Sequence, residues 1–206
     1  MKIGIIGVGN IGGTLARRWA ALGHDVTVAN SRGPATLADF AAQHGVRAGT
    51  VAEAADNEVV VVSVPTRAVP DLPGDAFEGT IVVDTNNYYP QRDGRIEPIE
   101  RGTTSSRWVA DHLRGARVVK VFNNIYSAHL SDNGQPAGTP GRIALPLAAD
   151  DAGARAVVAG LVDALGFDPV DAGTLDESWR QEPETPVYGT DRDAPGVRDG
   201  LAAATR

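Results

Sequence analysis

A short β-branched run, Lys2 to Gly7, leads straight into Gly7-Val8-Gly9-Asn10-Ile11-Gly12, and that junction constrains the fold more than any other part of the chain. In a chain with 24 glycines a GxGxxG string carries little weight by itself. Its setting gives it a physical reason. Ile3, Ile5 and Ile6 read as a buried parallel strand. Ile11, Leu15, Trp19 and Leu22 then recur at helical spacing, and Gly23 is placed to end that helix. In such a strand–turn–helix unit, Gly7 permits the tight turn, Gly9 lets backbone approach a pyrophosphate, and Gly12 lets helix and strand pack closely. The unpaired N–H groups and positive dipole end of the helix favour an anion there.

The rest of the chain continues the alternation. Strands are expected at Val26–Val28, Val46–Ala48, Val59–Val62, Ile81–Val83, Val118–Phe122, Ile143–Leu147 and Pro169–Val170. Helices are expected at Pro34–His44, Val51–Ala55, Trp108–Leu113 and Asp151–Leu165, and one turn should carry His129 and Leu130. Residues 86–106 read as a long polar loop. Beyond Leu175 an extended, Pro-bearing segment should precede a short helix near Val197–Ala204. The class is α/β, a Rossmann-type, doubly wound, mostly parallel sheet with a small C-terminal extension. A division into a nucleotide-binding domain, 1–122, and an extension, 123–206, follows.

The end of the second strand selects the nucleotide. NAD-binding units place Asp or Glu there to hold the ribose 2′-hydroxyl. This chain has Asn30-Ser31-Arg32-Gly33, with no carboxylate anywhere between Asp25 and Asp39. Ser31 can donate to a 2′-phosphate, and the Arg32 guanidinium can pair with it. NADP(H) is therefore the expected cofactor.

Composition removes other classes. A net charge of −7 without a basic block argues against nucleic acid. The absence of cysteine excludes thiolate catalysis, disulfides and Cys-ligated metals. The four histidines lack HExxH spacing and no carboxylates cluster, so no metal site is expected. No apolar run approaches the roughly 20 residues that span a bilayer, and no leader pattern opens the chain. The expectation is a cytoplasmic protein acting on a small molecule.

Several runs together resemble a known family. Gly7 to Gly12, Asn30-Ser31-Arg32, Val118-Val119-Lys120-Val121-Phe122-Asn123-Asn124, Ala149-Asp150-Asp151 and Asp171-Ala172-Gly173-Thr174-Leu175 occur in the same order in the NADP oxidoreductases dependent on coenzyme F420, a deazaflavin. The resemblance spans residues 1 to about 176. It implies a homodimer and hydride exchange between stacked nicotinamide and deazaflavin rings. It implies NADP contacts at Gly9, Asn10, Ile11, Ser31 and Arg32, with Ser63, Val64 and Pro65 bordering the inner ribose and Asn86 near the nicotinamide. It places the deazaflavin near Asn123, Asn124 and Ile125. Two departures lie on the acceptor side. Asn123-Asn124 stands where well-studied members have His-Thr, and residues 177–206 do not follow their C-terminal helix closely.

A deazaflavin acceptor needs chiefly the positioning of two rings. A carbonyl or imine acceptor needs a proton donor as well. Tyr88, Lys120, Asn123 and His129 are the candidate catalytic residues, with Tyr89 and Tyr126 as further donors. Lys120 alternates with Val119 and Val121, so it is either functional or on a sheet edge. In the tail, Trp179, Arg180 and Tyr188 can cover an acceptor pocket or cross to a second subunit. Three functions fit: a deazaflavin-linked oxidoreductase, an NADPH-dependent reductase of a flavin, quinone, metal chelate or imine, and a non-catalytic module that senses NADP(H).

Overall fold

Eight strands, β1 (Lys2–Ile6), β2 (Asp25–Ala29), β3 (Arg47–Ala48), β4 (Val59–Val62), β5 (Ile81–Asp84), β6 (Arg117–Lys120), β7 (Ala144–Ala149) and β8 (Asp168–Asp171), form one sheet in a computed structural model that describes residues 1–206. Their order is β3-β2-β1-β4-β5-β6-β7-β8. All neighbours run parallel except β6 and β7. The chain reverses its direction of travel across the sheet between β1 and β4, the switch point at which open α/β sheets bind ligands.

Helices cover both faces: α1 (Asn10–Ala21), α2 (Ala38–His44), α3 (Val51–Ala55), α4 (Pro90–Asp93), α5 (Glu97–Glu100), α6 (Ser105–His112), α7 (Ser127–Asp132), α8 (Ala152–Ala164) and α9 (Ala194–Ala203). Because both faces are covered, every residue of β4 is buried. One apolar layer joins Ile3, Ile5, Val59, Val61 and Val83 to Trp19 of α1 and to Val158, Leu161 and Val162 of α8. The opposite layer joins Ile6, Val60, Val62 and Val82 to Ala54, Phe77 and Val109. Burying each Val, Leu, Ile or Phe contributes about 1.5–3 kcal/mol over leaving it in water. Asp151 starts α8 by accepting from the Ala154 N–H at 2.6 Å. No helix is long and apolar enough to cross a membrane.

The structure departs from the sequence expectations in places. The stretch 86–106 is not one loop. It contains α4 and α5, each a single turn started by a proline near its first position, and four residues are too few to show a helical period. The helix expected at Trp108 starts at Ser105 because Thr104 caps it, accepting from the Arg107 N–H at 3.1 Å. The helix expected from Pro34 begins as a 3₁₀ turn, Pro34–Leu37. Strand β6 stops at Lys120, short of Phe122, whose φ of 64° ends extended pairing. Strand β7 runs to Ala149 rather than Leu147.

The tail is not extended after Leu175. Thr174 and Glu177 form a capping box on a 3₁₀ segment, Leu175–Gln181. Helix α9 then packs on β7 and β8, where Val187, Val197 and Leu201 form a third apolar cluster with Ala144, Ala148 and Val170. Residues past 122 therefore extend the same sheet by two strands.

Candidate functional site

Helix α1 opens on Gly9, which offers no side-chain cap, and no carboxylate stands in its first turn. Its leading N–H groups are left for an anion. Gly7 has a φ of 99°, and a Cβ on it would lie 2.1 Å from the Ser63 carbonyl oxygen. A Cβ on Gly12 would lie 2.0 Å from the Gly7 carbonyl oxygen. Both glycines are thus required by the turn itself. A Cβ on Gly9 would meet nothing within 4 Å. That space is open to a ligand's phosphates.

From this turn a cavity of about 420 Å³ runs along the carboxyl ends of the central strands. Gly9, Asn10 and Ile11 line it from α1, Ser63, Val64 and Pro65 from the end of β4, and Thr85, Asn86 and Asn87 from the end of β5. Phe122, Asn123, Ile125, Tyr126 and Ser127 line it after β6. Tyr89, Arg92 and Tyr188 complete the wall. No carboxylate is among these residues. The one cation, Arg92, is engaged by Asp93 at 2.8 Å. Phe122 holds its left-handed backbone while fully buried, with its ring edge-on to Trp19 at 6.0 Å. Strain of this kind is held where the surrounding packing enforces it.

Asn86 is held by three hydrogen bonds. Its N–H donates to Asp84 Oδ1 at 2.9 Å, and its carbonyl accepts from Lys120 Nζ at 3.0 Å. Its Oδ1 accepts from the Val64 N–H at 3.1 Å. A backbone N–H can only donate, so the amide orientation is fixed and Nδ2 is left as a buried donor without a partner in the protein.

The turn after β2 lies outside the residues that line the cavity. Asn30 Oδ1 accepts from the Arg32 N–H at 2.9 Å and shapes the turn after β2. Ser31 and Arg32 are exposed on it. Asn30 builds the turn, and its neighbours present the hydroxyl and the guanidinium.

The candidate catalytic residues separate. Tyr88 is turned away from the cavity: its hydroxyl accepts from the Ile96 N–H at 3.1 Å and donates to Glu100 at 2.7 Å. His129 sits outside it with Nδ1 2.8 Å from Asp191. Asn123 reaches the wall, but its Nδ2 already donates to Asn87 Oδ1 and to the Gln181 carbonyl, at 3.1 and 2.7 Å. Of the expected acceptor contacts, Ile125 lines the cavity, whereas Asn124 is buried toward the tail, donating to the Val187 carbonyl at 3.4 Å. Trp179 does not line the cavity; Arg180 and Arg206 lie over its ring. Thr85, Asn87, Arg92 and Ser127 were not anticipated, since no motif marks them, and Phe122 lies in a quoted run without a role there; the fold alone brings them together.

Lys120 is on neither a sheet edge nor the cavity wall. It is fully buried on β6, between β5 and β7, 3.9 Å from the equally buried Asp84. Besides Asn86 it donates to Ser105 Oγ at 3.0 Å, and Asp84 accepts from Ser106 at 2.5 Å. Its work is to hold the Asn86 turn. Removing one partner of a buried pair leaves the other charge uncompensated. Lys120→Met is expected to lower unfolding stability by about 3–5 kcal/mol, read by urea denaturation, and adding Asp84→Asn should recover much of the loss. A Lys120→Met protein as stable as the native one would contradict this role.

Residues 2–88 match the family described as NADP oxidoreductase, coenzyme F420-dependent. The hypothetical protein SMa0349 of Sinorhizobium meliloti is 34% identical over 93% of this chain and 95% of its own, with a TM-score of 0.79. A candidate F420-dependent NADP reductase of Arthrobacter sp. FB24 is 27% identical over 86% of this chain and 87% of its own, with a TM-score of 0.75. The protein YjhV of Escherichia coli (strain K12) is 47% identical over 62 residues, 30% of this chain and 45% of YjhV, so the match spans less than half of that curated relative. Over residues 2–88 the chain carries the domain of the NADP oxidoreductases dependent on coenzyme F420.

Proposed function

We propose that the chain exchanges hydride between NADP(H) and a deazaflavin of the coenzyme F420 type. The observation that carries this reading is the continuous, carboxylate-free cavity joining the glycine turn to the ends of β4, β5 and β6. In this reading the cofactor supplies the hydride at its nicotinamide ring. The α1 N–H groups hold the pyrophosphate, and Ser31 with Arg32 holds the 2′-phosphate. Ser63, Val64 and Pro65 border the inner ribose. Asn86 lies at the nicotinamide end. Ile125 and the tyrosines of the wall face the acceptor. The reading includes a homodimer, checked by the mass in solution.

A second reading, an NADPH-dependent reductase of another small acceptor such as a flavin, quinone or imine, draws support from the phenols of Tyr89, Tyr126 and Tyr188 on the same wall. An imine must receive a proton as well as a hydride. One assay separates the readings. The protein is mixed with NADPH and oxidised deazaflavin, and loss of the deazaflavin absorbance is followed. The proposal expects catalytic loss. No exchange with the deazaflavin but steady NADPH oxidation by a cyclic imine would move the assignment to the second reading. Tight NADPH binding with no turnover on either would make the chain a sensing module.

A further inference from the structure

Two phenols meet across the cavity. The hydroxyl of Tyr89, from the segment after β5, hydrogen-bonds that of Tyr188, from the tail. Each phenol carries one O–H. Two phenols sharing one hydrogen bond therefore leave one O–H with no protein acceptor, and no carboxylate lines the cavity to take it. The pair is braced from both sides. The Tyr89 N–H donates to Asp93 Oδ2 at 3.0 Å, and the Arg92 guanidinium lies 4.9 Å from its ring centroid. Tyr188 is anchored between the fully buried Val187 and Gly189, whose N–H donates to the Asn124 carbonyl at 2.8 Å. Burial, together with the Tyr89 hydroxyl beside it, pushes the Tyr188 phenol above the ordinary tyrosine range, so it stays protonated at neutral pH.

Resting on the function proposed above, we infer that the Tyr89–Tyr188 pair is the acceptor-side hydrogen-bond donor, selecting a planar conjugated acceptor whose hydride-accepting carbon is conjugated to a ring carbonyl or nitrogen. As hydride transfer proceeds, the C–H bond at the nicotinamide breaks with its electron pair. A C–H bond forms at the acceptor carbon. The displaced π pair moves to the conjugated oxygen or nitrogen, where the free O–H of the pair meets the growing negative charge. A donor fixed where charge develops lowers the barrier more than it strengthens ground-state binding. A solvent proton completes the reduction, so that NADPH, a proton and the oxidised acceptor give NADP⁺ and the reduced acceptor, and both phenols end unchanged.

The test uses the full chain with NADPH and oxidised deazaflavin, comparing native protein with Tyr89→Phe, Tyr188→Phe and the double variant. Each change removes only an oxygen, and a thermal melt verifies the fold. The double variant is expected to lose about a hundredfold in kcat, within the range for removing a donor of this kind, and each single variant less. NADPH affinity should stay unchanged in all three. The visible band of bound deazaflavin, shifted by the hydrogen bond in native protein, should return toward its free position in the double variant. If the double variant does not fold, the single variants carry the test through the same two readouts. Native exchange with undiminished rates and an unaltered band in the variants would overturn this inference alone. Native protein that binds NADPH yet neither binds nor reduces the deazaflavin would overturn the proposed function and this inference with it.

Discussion

Gly9→Ala is expected to melt at the native temperature and yet lose NADPH binding, whereas Gly12→Ala is expected to lose stability itself. The two glycines stand three residues apart in one turn but do different work. Gly9 has φ −87° and ψ −160°, a backbone that any residue adopts, and an added Cβ would meet no protein atom within 4 Å. The methyl group would project instead into the space in front of the α1 N–H groups. A pyrophosphate held there would be pushed off its donors, and losing two charge-assisted hydrogen bonds at about 1.5–3 kcal/mol each weakens binding by about a hundredfold or more. At Gly12 the Cβ would sit 2.0 Å from the Gly7 carbonyl oxygen, and only movement of α1 away from the turn relieves that overlap. Overpacking of rigid backbone costs about 1–3 kcal/mol and can exceed it. Differential scanning calorimetry with and without NADPH reads both effects. A Gly9→Ala protein that binds NADPH as tightly as the native chain would remove the phosphate from this turn.

Arg32→Ala is expected to raise the NADPH dissociation constant at least about tenfold and to leave that for NADH within about twofold, because only the phosphorylated cofactor presents a dianion to the guanidinium. Tenfold corresponds to about 1.4 kcal/mol, at the low end for hydrogen bonds to charged groups. The low end is appropriate because Arg32 is exposed, and screening by salt reduces such contacts. The gap between the two cofactors should accordingly narrow as ionic strength rises. Parallel fluorescence titrations with NADPH and NADH give both constants. An equal loss for both would mean that Arg32 serves the adenine or the loop rather than the phosphate.

Much of the frame was legible in the residues, and the reasons are physical. The β1 turn, the valine run of β4 and the apolar face of α8 each carry a strong local period or a motif with one steric solution. The turn after β2 was legible because a missing carboxylate is itself an electrostatic statement. The cavity was only half legible. Ser63 and Asn86 follow directly from lying at the ends of buried strands. Tyr89, Arg92 and Tyr188 come together only because the tail returns over β7 and the segment after β5 folds into two proline-started turns, and neither event has a local signature. Lys120 shows the limit in another way. An alternating pattern exposes a buried lysine, but not that Asp84 lies opposite it in the adjacent strand. Tyr88 and His129 were plausible as chemistry, and neither the hydrogen bonds of Tyr88 nor the approach of Asp191 to His129 is visible before folding.

In the proposed function this fold holds NADP(H) by its 2′-phosphate. Isothermal titration of the native chain at low salt with NADPH and then with NADH tests it directly. Saturable binding of one NADPH per chain and an NADH affinity at least about tenfold weaker are expected. Equal affinities, or no heat from NADPH at all, would contradict it.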